Sequence, residues 1–194
     1  MGRILEAATL AFTRDGFKGA RLRSIATDAG ITIQLLIYHT KNKTHLWHKT
    51  MEYILNRYTE ISSKTKALPK SVSAGERLRH MIADIVHYTS STPEIHRIMT
   101  QEGSQLSPRL VWMIENFSRA WHLEFAQLAE LAQREGAIRG DIDVGRLRFA
   151  VTGMAAVPFS VAAEYEYLTG RDPFSRGEVA KMIELIEHMI FVKH

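Results

Sequence analysis

Nine histidines and no cysteine set the limits of the chemistry that these 194 residues can do. His45 and His48, and again His80 and His87, stand at helical spacings that could bring two imidazoles together. Neither pair has the acid-rich surroundings that complete a metal site, so no metal is expected. Without cysteine there is no thiolate ligand, disulfide or cysteine nucleophile, which fits a reducing, cytoplasmic setting. No nucleophile elbow, phosphate loop, His-Glu-x-x-His or Gly-x-Gly-x-x-Gly occurs, so neither an enzyme nor a cofactor is expected. What remains is charge. Residues 1–66 hold 11 Lys and Arg against 5 Asp and Glu, whereas residues 67–194 hold 14 against 16. The basic excess is therefore confined to the first third, as suits a segment that meets a polyanion; a solvated basic face is the other way to account for it.

The elements that position those charges are helices almost throughout, about nine of them, and strand-like alternation is scarce. Ile4, Leu5, Ala8, Ala11 and Phe12 form a helical stripe stopped at Gly16. Leu22, Ile25, Ala26 and Ala29 mark a short second helix, and Gly30 supplies the positive φ of a tight turn before a third that begins near Thr32. Asn42 caps a fourth helix, expected to run through residues 42–66 and close at Leu68-Pro69. Beyond it, Ser73 and Glu76 form a capping box, as do Ser175 and Glu178. Pro93 and Pro108 stand at first helical positions. One long helix is expected over residues 108–135, stopped by Gly136, and another over 143–169, bent at Pro158. The longest charge-free run, residues 149–163, is too short to span a bilayer, and Glu6 interrupts any leader-like apolar stretch, so neither membrane insertion nor export is expected.

Ala29-Gly30-Ile31 between two short amphipathic helices fits a helix-turn-helix, although a plain three-helix bundle has the same spacing. The ordered set Ile4-Leu-Glu-Ala-Ala-Thr-Leu-Ala-Phe12, Gly16-Phe17, Arg23-Ser-Ile-Ala26, Ala29-Gly30-Ile31-Thr32 and Tyr38-His-Thr-Lys-Asn-Lys43 with Leu46 resembles the tetracycline-repressor (TetR) family of bacterial regulators. That resemblance implies an all-α homodimer with a helix-turn-helix DNA-binding domain at residues 1–47 and a ligand-binding and dimerisation domain at 48–194. It also implies repression of operator DNA, relieved by a small effector. By position, Arg23 matches the basic residue of the second helix, Thr32, Ile33 and Gln34 the base-readers, and His39 and Lys43 phosphate contacts. Gln34 could bond an adenine edge through both amide atoms, and Ile33 could pack on a thymine methyl.

The recognition helix departs from the family in its apolar content. Leu35 stands where Thr is usual, Ile37 where Tyr is usual and Thr40 where Phe is frequent. Either its register differs, with Tyr38 taking a phosphate role, or Ile33, Leu35 and Ile37 partly fill a local core. In the second domain the family implies a largely apolar effector pocket, for which His87, Tyr88, Met113, Phe117 and Trp121 are the candidates. Dimerisation is assigned to the last two helices through Val179, Met182, Ile183, Ile186 and Ile190, because the final helix is apolar on more than one face; Lys193 is expected to tolerate substitution. A sequence-tolerant architectural DNA-binding protein is the alternative, and it would need basic residues in more than one domain.

Overall fold

The computed structural model describes residues 1–69 and 71–192, so Lys193 lies outside the described residues. The architecture is all-α. In chain order, α1 (Gly2–Gly19), α2 (Leu22–Asp28), α3 (Ile33–Thr40) and α4 (Lys43–Ile61) are followed by α5 (Ser63–Lys66), α6 (Ala74–Ser91), α7 (Pro93–Gly103) and α8 (Pro108–Met113). A π-helical turn (Ile114–Ser118) then leads into α9 (Arg119–Arg134), α10 (Val144–Ser160), α11 (Ala162–Thr169) and α12 (Arg176–Ile190). The one extended pairing among the described residues is an isolated antiparallel bridge between Ile138 and Phe191.

The nine expected helices correspond to these twelve segments because three of the nine are interrupted. The expected helix over 42–66 breaks at Ser62, where the hydroxyls of Ser62 and Ser63 donate back to the carbonyls of Thr59 and Glu60 at 3.4 and 2.7 Å. Such back-bonding competes with the helical ladder. The expected helix over 143–169 breaks at Val161 (φ −113°, ψ 38°), three residues after Pro158, whose ring has no N–H to give. There Arg97 satisfies the terminal Ser160 carbonyl at 3.1 and 3.3 Å. Over 108–135 the chain stays helical, but the π turn divides it into α8 and α9.

The caps form as their residue types require: Thr32, Asn42, Ser73, Ser107, Asp143 and Ser175 each accept a hydrogen bond from the amide three residues on. Glu135 adds a tertiary cap, its two carboxylate oxygens accepting from the Ala74 and Gly75 amides at 2.9 and 3.0 Å. Those bonds hold its carboxyl below the usual glutamate range. A Cβ on Gly75 would lie 2.6 Å from the Ala137 Cβ. Gly75→Ala should therefore destabilise the fold by about 1–3 kcal/mol, as overpacking does; urea denaturation checks this, and an unchanged midpoint would contradict it.

Two buried clusters result. The first gathers the inward faces of α1 to α4 around Phe12, Leu36 and Trp47 and extends to Tyr88, Ile95, Ile98 and Met113. The second lies among α6, α9, α10 and α12 around Ile82, Phe125, Phe159 and Ile186. Tyr58 packs against both. The α12 assignment needs correction: Val179, Ile186 and Ile190 are buried in the chain's own second cluster, and Met182 and Ile183 pack partly against it. Val179, Ile186 and Ile190 face inward because they continue the apolar stripe that covers α6 and α10, with Met182 and Ile183 at its margin. The outward apolar residues of α12 are Leu185 and Met189, 52% and 65% exposed.

Candidate nucleic-acid interface

The site is built on the turn between α2 and α3. Gly30 has φ 66°, and the amides of Gly30 and Ile31 donate to the carbonyls of Thr27 and Ala26, both at 3.0 Å. This turn is tight enough to set α3 across α2. Thr32 opens α3 by accepting from the Leu35 amide at 3.2 Å. Leu36 and Thr40, one turn apart, are fully buried, and the Thr40 hydroxyl donates to the Leu36 carbonyl at 2.8 Å. Ile33 completes that inward face.

Everything else on α3 points out: Gln34, Leu35, Ile37, Tyr38 and His39 are exposed, with the Tyr38 ring edge-on to His39 at 5.2 Å. Of the expected base-readers, Thr32 and Gln34 thus stand on the open face, while Ile33 turns toward the core. Leu35 and Ile37 do not fill a local core, being 43% and 45% exposed. Leu35 and His39 instead join Arg3 and Ile31 in lining a cleft of about 570 Å³ beside the start of α1.

Cations border this face. Arg23 is exposed on α2, and Lys41 is exposed in the turn after α3 with φ 60° and ψ −58°. Lys41 escaped the sequence reading; its signal was the Lys41-Asn42-Lys43 run. Asn42 caps α4 by accepting from the His45 amide at 2.8 Å, leaving the Lys43 and Thr44 amides outside the helical ladder at the positive end of the helix dipole. Lys43 is pinned there: its Nζ donates to the Lys18 carbonyl at 3.1 Å and lies 5.0 Å from the centre of the Phe17 ring. Partial burial, reinforced by nearby Arg109, pulls its ammonium below the usual lysine range.

The expected pocket residues are not assembled around either of the two described cavities. Tyr88 is buried, its hydroxyl donating to the Ile54 carbonyl at 3.1 Å, and Met113 is fully buried in the first cluster. Phe117 meets Trp112 edge-on at 5.6 Å, Trp121 donates from Nε1 to the Tyr58 hydroxyl at 3.0 Å, and His87 is exposed. His48 lies flat on Trp112 at 4.1 Å, and burial lowers its pKa. No helix among the described residues is long and apolar enough to cross a membrane.

A three-helix head that offers the open face of α3 beside Arg23, Lys41 and Lys43, joined to a helical body, defines a helix-turn-helix protein. Residues 75–190 match the family described as "Tetracyclin repressor-like, C-terminal domain". The chain belongs to the TetR family. It is 29% identical over 104 residues to the probable HTH-type transcriptional regulator YttP of Bacillus subtilis (strain 168), covering 52% of this chain and 48% of that protein. It is 27% identical over 100 residues to the HTH-type transcriptional repressor NicS of Pseudomonas putida, covering 52% and 46%. The chain spans about half the length of the curated relatives it matches. In fold it is similar to AibR, solved in complex with isovaleryl coenzyme A and operator DNA, with TM-score 0.77, 19% identity and 97% and 96% of the two chains covered. It is similar too to the ketosteroid transcriptional regulator KstR2 of Mycobacterium tuberculosis, with TM-score 0.74, 19% identity and 99% and 95% covered.

Proposed function

We propose that this protein is a transcriptional regulator, a repressor that grips operator DNA as a homodimer through α3 and is released by a small, largely apolar effector. The observation that carries this reading is the open face of α3, with Gln34 exposed and Lys43 fixed at the start of α4. Gln34 presents donor and acceptor to a base edge, Thr32, Tyr38 and His39 flank it, and Arg23 and Lys43 reach phosphates on either side. Ile33 adds apolar contact only at the edge of this face.

Residues 1–47 act as the head and 48–194 as the body, and the contacts between them suit coupling. Gln101 in α7 donates to the Thr13 carbonyl at 3.2 Å. Arg109, held by Glu102 at 3.0 Å, lies 4.2 Å from the Phe17 ring centre, on which Lys43 also rests. An effector that moves α7 and α8 would shift Phe17 and Lys43 with them. If it binds the shifted state more tightly, operator DNA must weaken its binding by the same factor.

The two contact types separate by experiment. Lys43→Ala should weaken binding to operator and random duplexes alike and reduce the salt slope by about one unit, as loss of a phosphate contact does. Gln34→Ala should instead relax preference at one base position, at a cost of about 1–3 kcal/mol. Anisotropy titrations at several salt concentrations measure both. Equal losses on operator and random DNA for Gln34→Ala would remove it from the base-reading set.

A further inference from the structure

Four arginines of the chain are half-buried: Arg77, Arg79, Arg109 and Arg148. Three of them end on oxygen. Arg77 donates to the Leu68, Pro69 and Val72 carbonyls, Arg79 pairs with Glu187 at 3.1 Å, and Arg109 pairs with Glu102 at 3.0 Å. Arg148 does not. Its Nε is buried without a hydrogen-bond partner, and among the described residues its guanidinium forms no ion pair. It rests instead on two aromatic rings, 4.4 Å from the centre of Trp121 and 4.9 Å from that of Phe149.

Cation–π contact returns part of the hydration that a buried guanidinium loses, but not its hydrogen bonds. Of the three guanidinium nitrogens of Arg148 only Nε is shut off from water, so the two terminal nitrogens are left without a protein partner among the described residues and open to a ligand. The indole beneath it is immobilised, since Trp121 Nε1 is committed to the Tyr58 hydroxyl at 3.0 Å, and Tyr58 meets Tyr88 edge-on at 5.4 Å. The guanidinium is thus prepositioned on a fixed aromatic floor that Phe149, 68% exposed, extends to the surface.

We infer that Arg148 is the anchor of the effector, pairing with a carboxylate whose apolar body lies along Trp121 and Phe149, so that the effector is an organic acid. This rests on the body being the effector-binding part. A carboxylate matches the planar fork of one guanidinium with two parallel hydrogen bonds. Burial pulls the Arg148 pKa down, in keeping with a guanidinium that lacks a carboxylate of its own.

The test uses the full chain without DNA, so that its outcome is independent of whether α3 binds an operator. Phenylacetate and octanoate, each beside its neutral amide, are titrated against intrinsic tryptophan fluorescence. At least one acid should bind, with its amide about tenfold weaker or more, the scale of a lost charge-assisted hydrogen bond. Arg148→Gln should bring acid and amide to the same affinity, and Arg148→Lys should keep a preference for the acid. Equal binding of acid and amide to the unaltered chain, undiminished acid binding by Arg148→Gln, or no binding of either acid would overturn the inference. So would dissociation of a dimer by Arg148→Gln, which would show that a second copy supplies the counter-charge. The acid–amide comparison needs no variant, so a misfolded substitution leaves it decisive.

Discussion

Replacing Leu185 and Met189 together with glutamate should convert the proposed dimer to monomer and lower operator affinity by about 10²–10⁴, the range by which two linked binding events exceed one. These side chains form the outward apolar face of α12, and α10 beside it exposes Val157, with Val161 exposed just past its end. Such a row is wider than single scattered hydrophobics, as the proposed interface requires. A two-fold contact doubles each substitution, so the variant places four carboxylates in one patch. Charge at Ile186 or Ile190 should act differently: both are buried within one chain, so the expected result there is unfolding rather than a folded monomer. Sedimentation with circular dichroism separates the outcomes. A Leu185→Glu/Met189→Glu chain that stays dimeric, or an unaltered chain that is monomeric, would remove this face from the account.

Trp47→Ala should cost about 3–5 kcal/mol, the range for deleting a fully buried aromatic. Trp47 is 1% exposed and sits where the head meets the body, edge-on to Phe17 at 6.4 Å and tilted against Trp112 at 5.8 Å. The deletion opens a cavity that neither half can close alone, since α1, α4 and α8 hold one another through that ring. Trp47→Phe keeps most of the apolar volume and should cost clearly less. Urea denaturation followed by circular dichroism gives both values. A cost below about 1 kcal/mol for Trp47→Ala, the ordinary scale of a surface change, would show that the seam is not packed as described. Because Phe17 also seats Lys43 and Arg109, the same substitution should loosen the phosphate-contact residue along with the fold.

Much of this was legible in the chain because local chemistry decides it. Gly30 takes its positive φ, Thr32 and Asn42 cap α3 and α4, and the serines of both capping boxes cap their helices, since each rests on residues within one turn. Tertiary effects were not legible. Serine back-bonding ends α4 at Ser62, and α10 gives way three residues beyond Pro158, neither of which hydrophobic periodicity registers. The apolar residues of α12 lie on two faces, and spacing alone does not say which one a neighbour already covers. Periodicity likewise could not show that Tyr88 and Met113 pack into the first cluster, or that Arg148 finds aromatic rings where the other half-buried arginines find oxygen. Leu35 and Ile37 read as core by type, yet Leu36 and Thr40 occupy the only inward positions that α3 has left beside Ile33.

Selection of bound duplexes from a fully randomised DNA pool shows whether α3 reads base sequence. If α3 reads bases as one of a symmetric pair, the pool should converge on a two-fold symmetric motif whose half-sites face the same side of the duplex. The Gln34→Ala chain should select the same motif with one position in each half-site relaxed. A pool that stays random while binding persists would mean that the protein holds DNA by charge alone, and a pool from which nothing is retained would mean that it does not bind DNA.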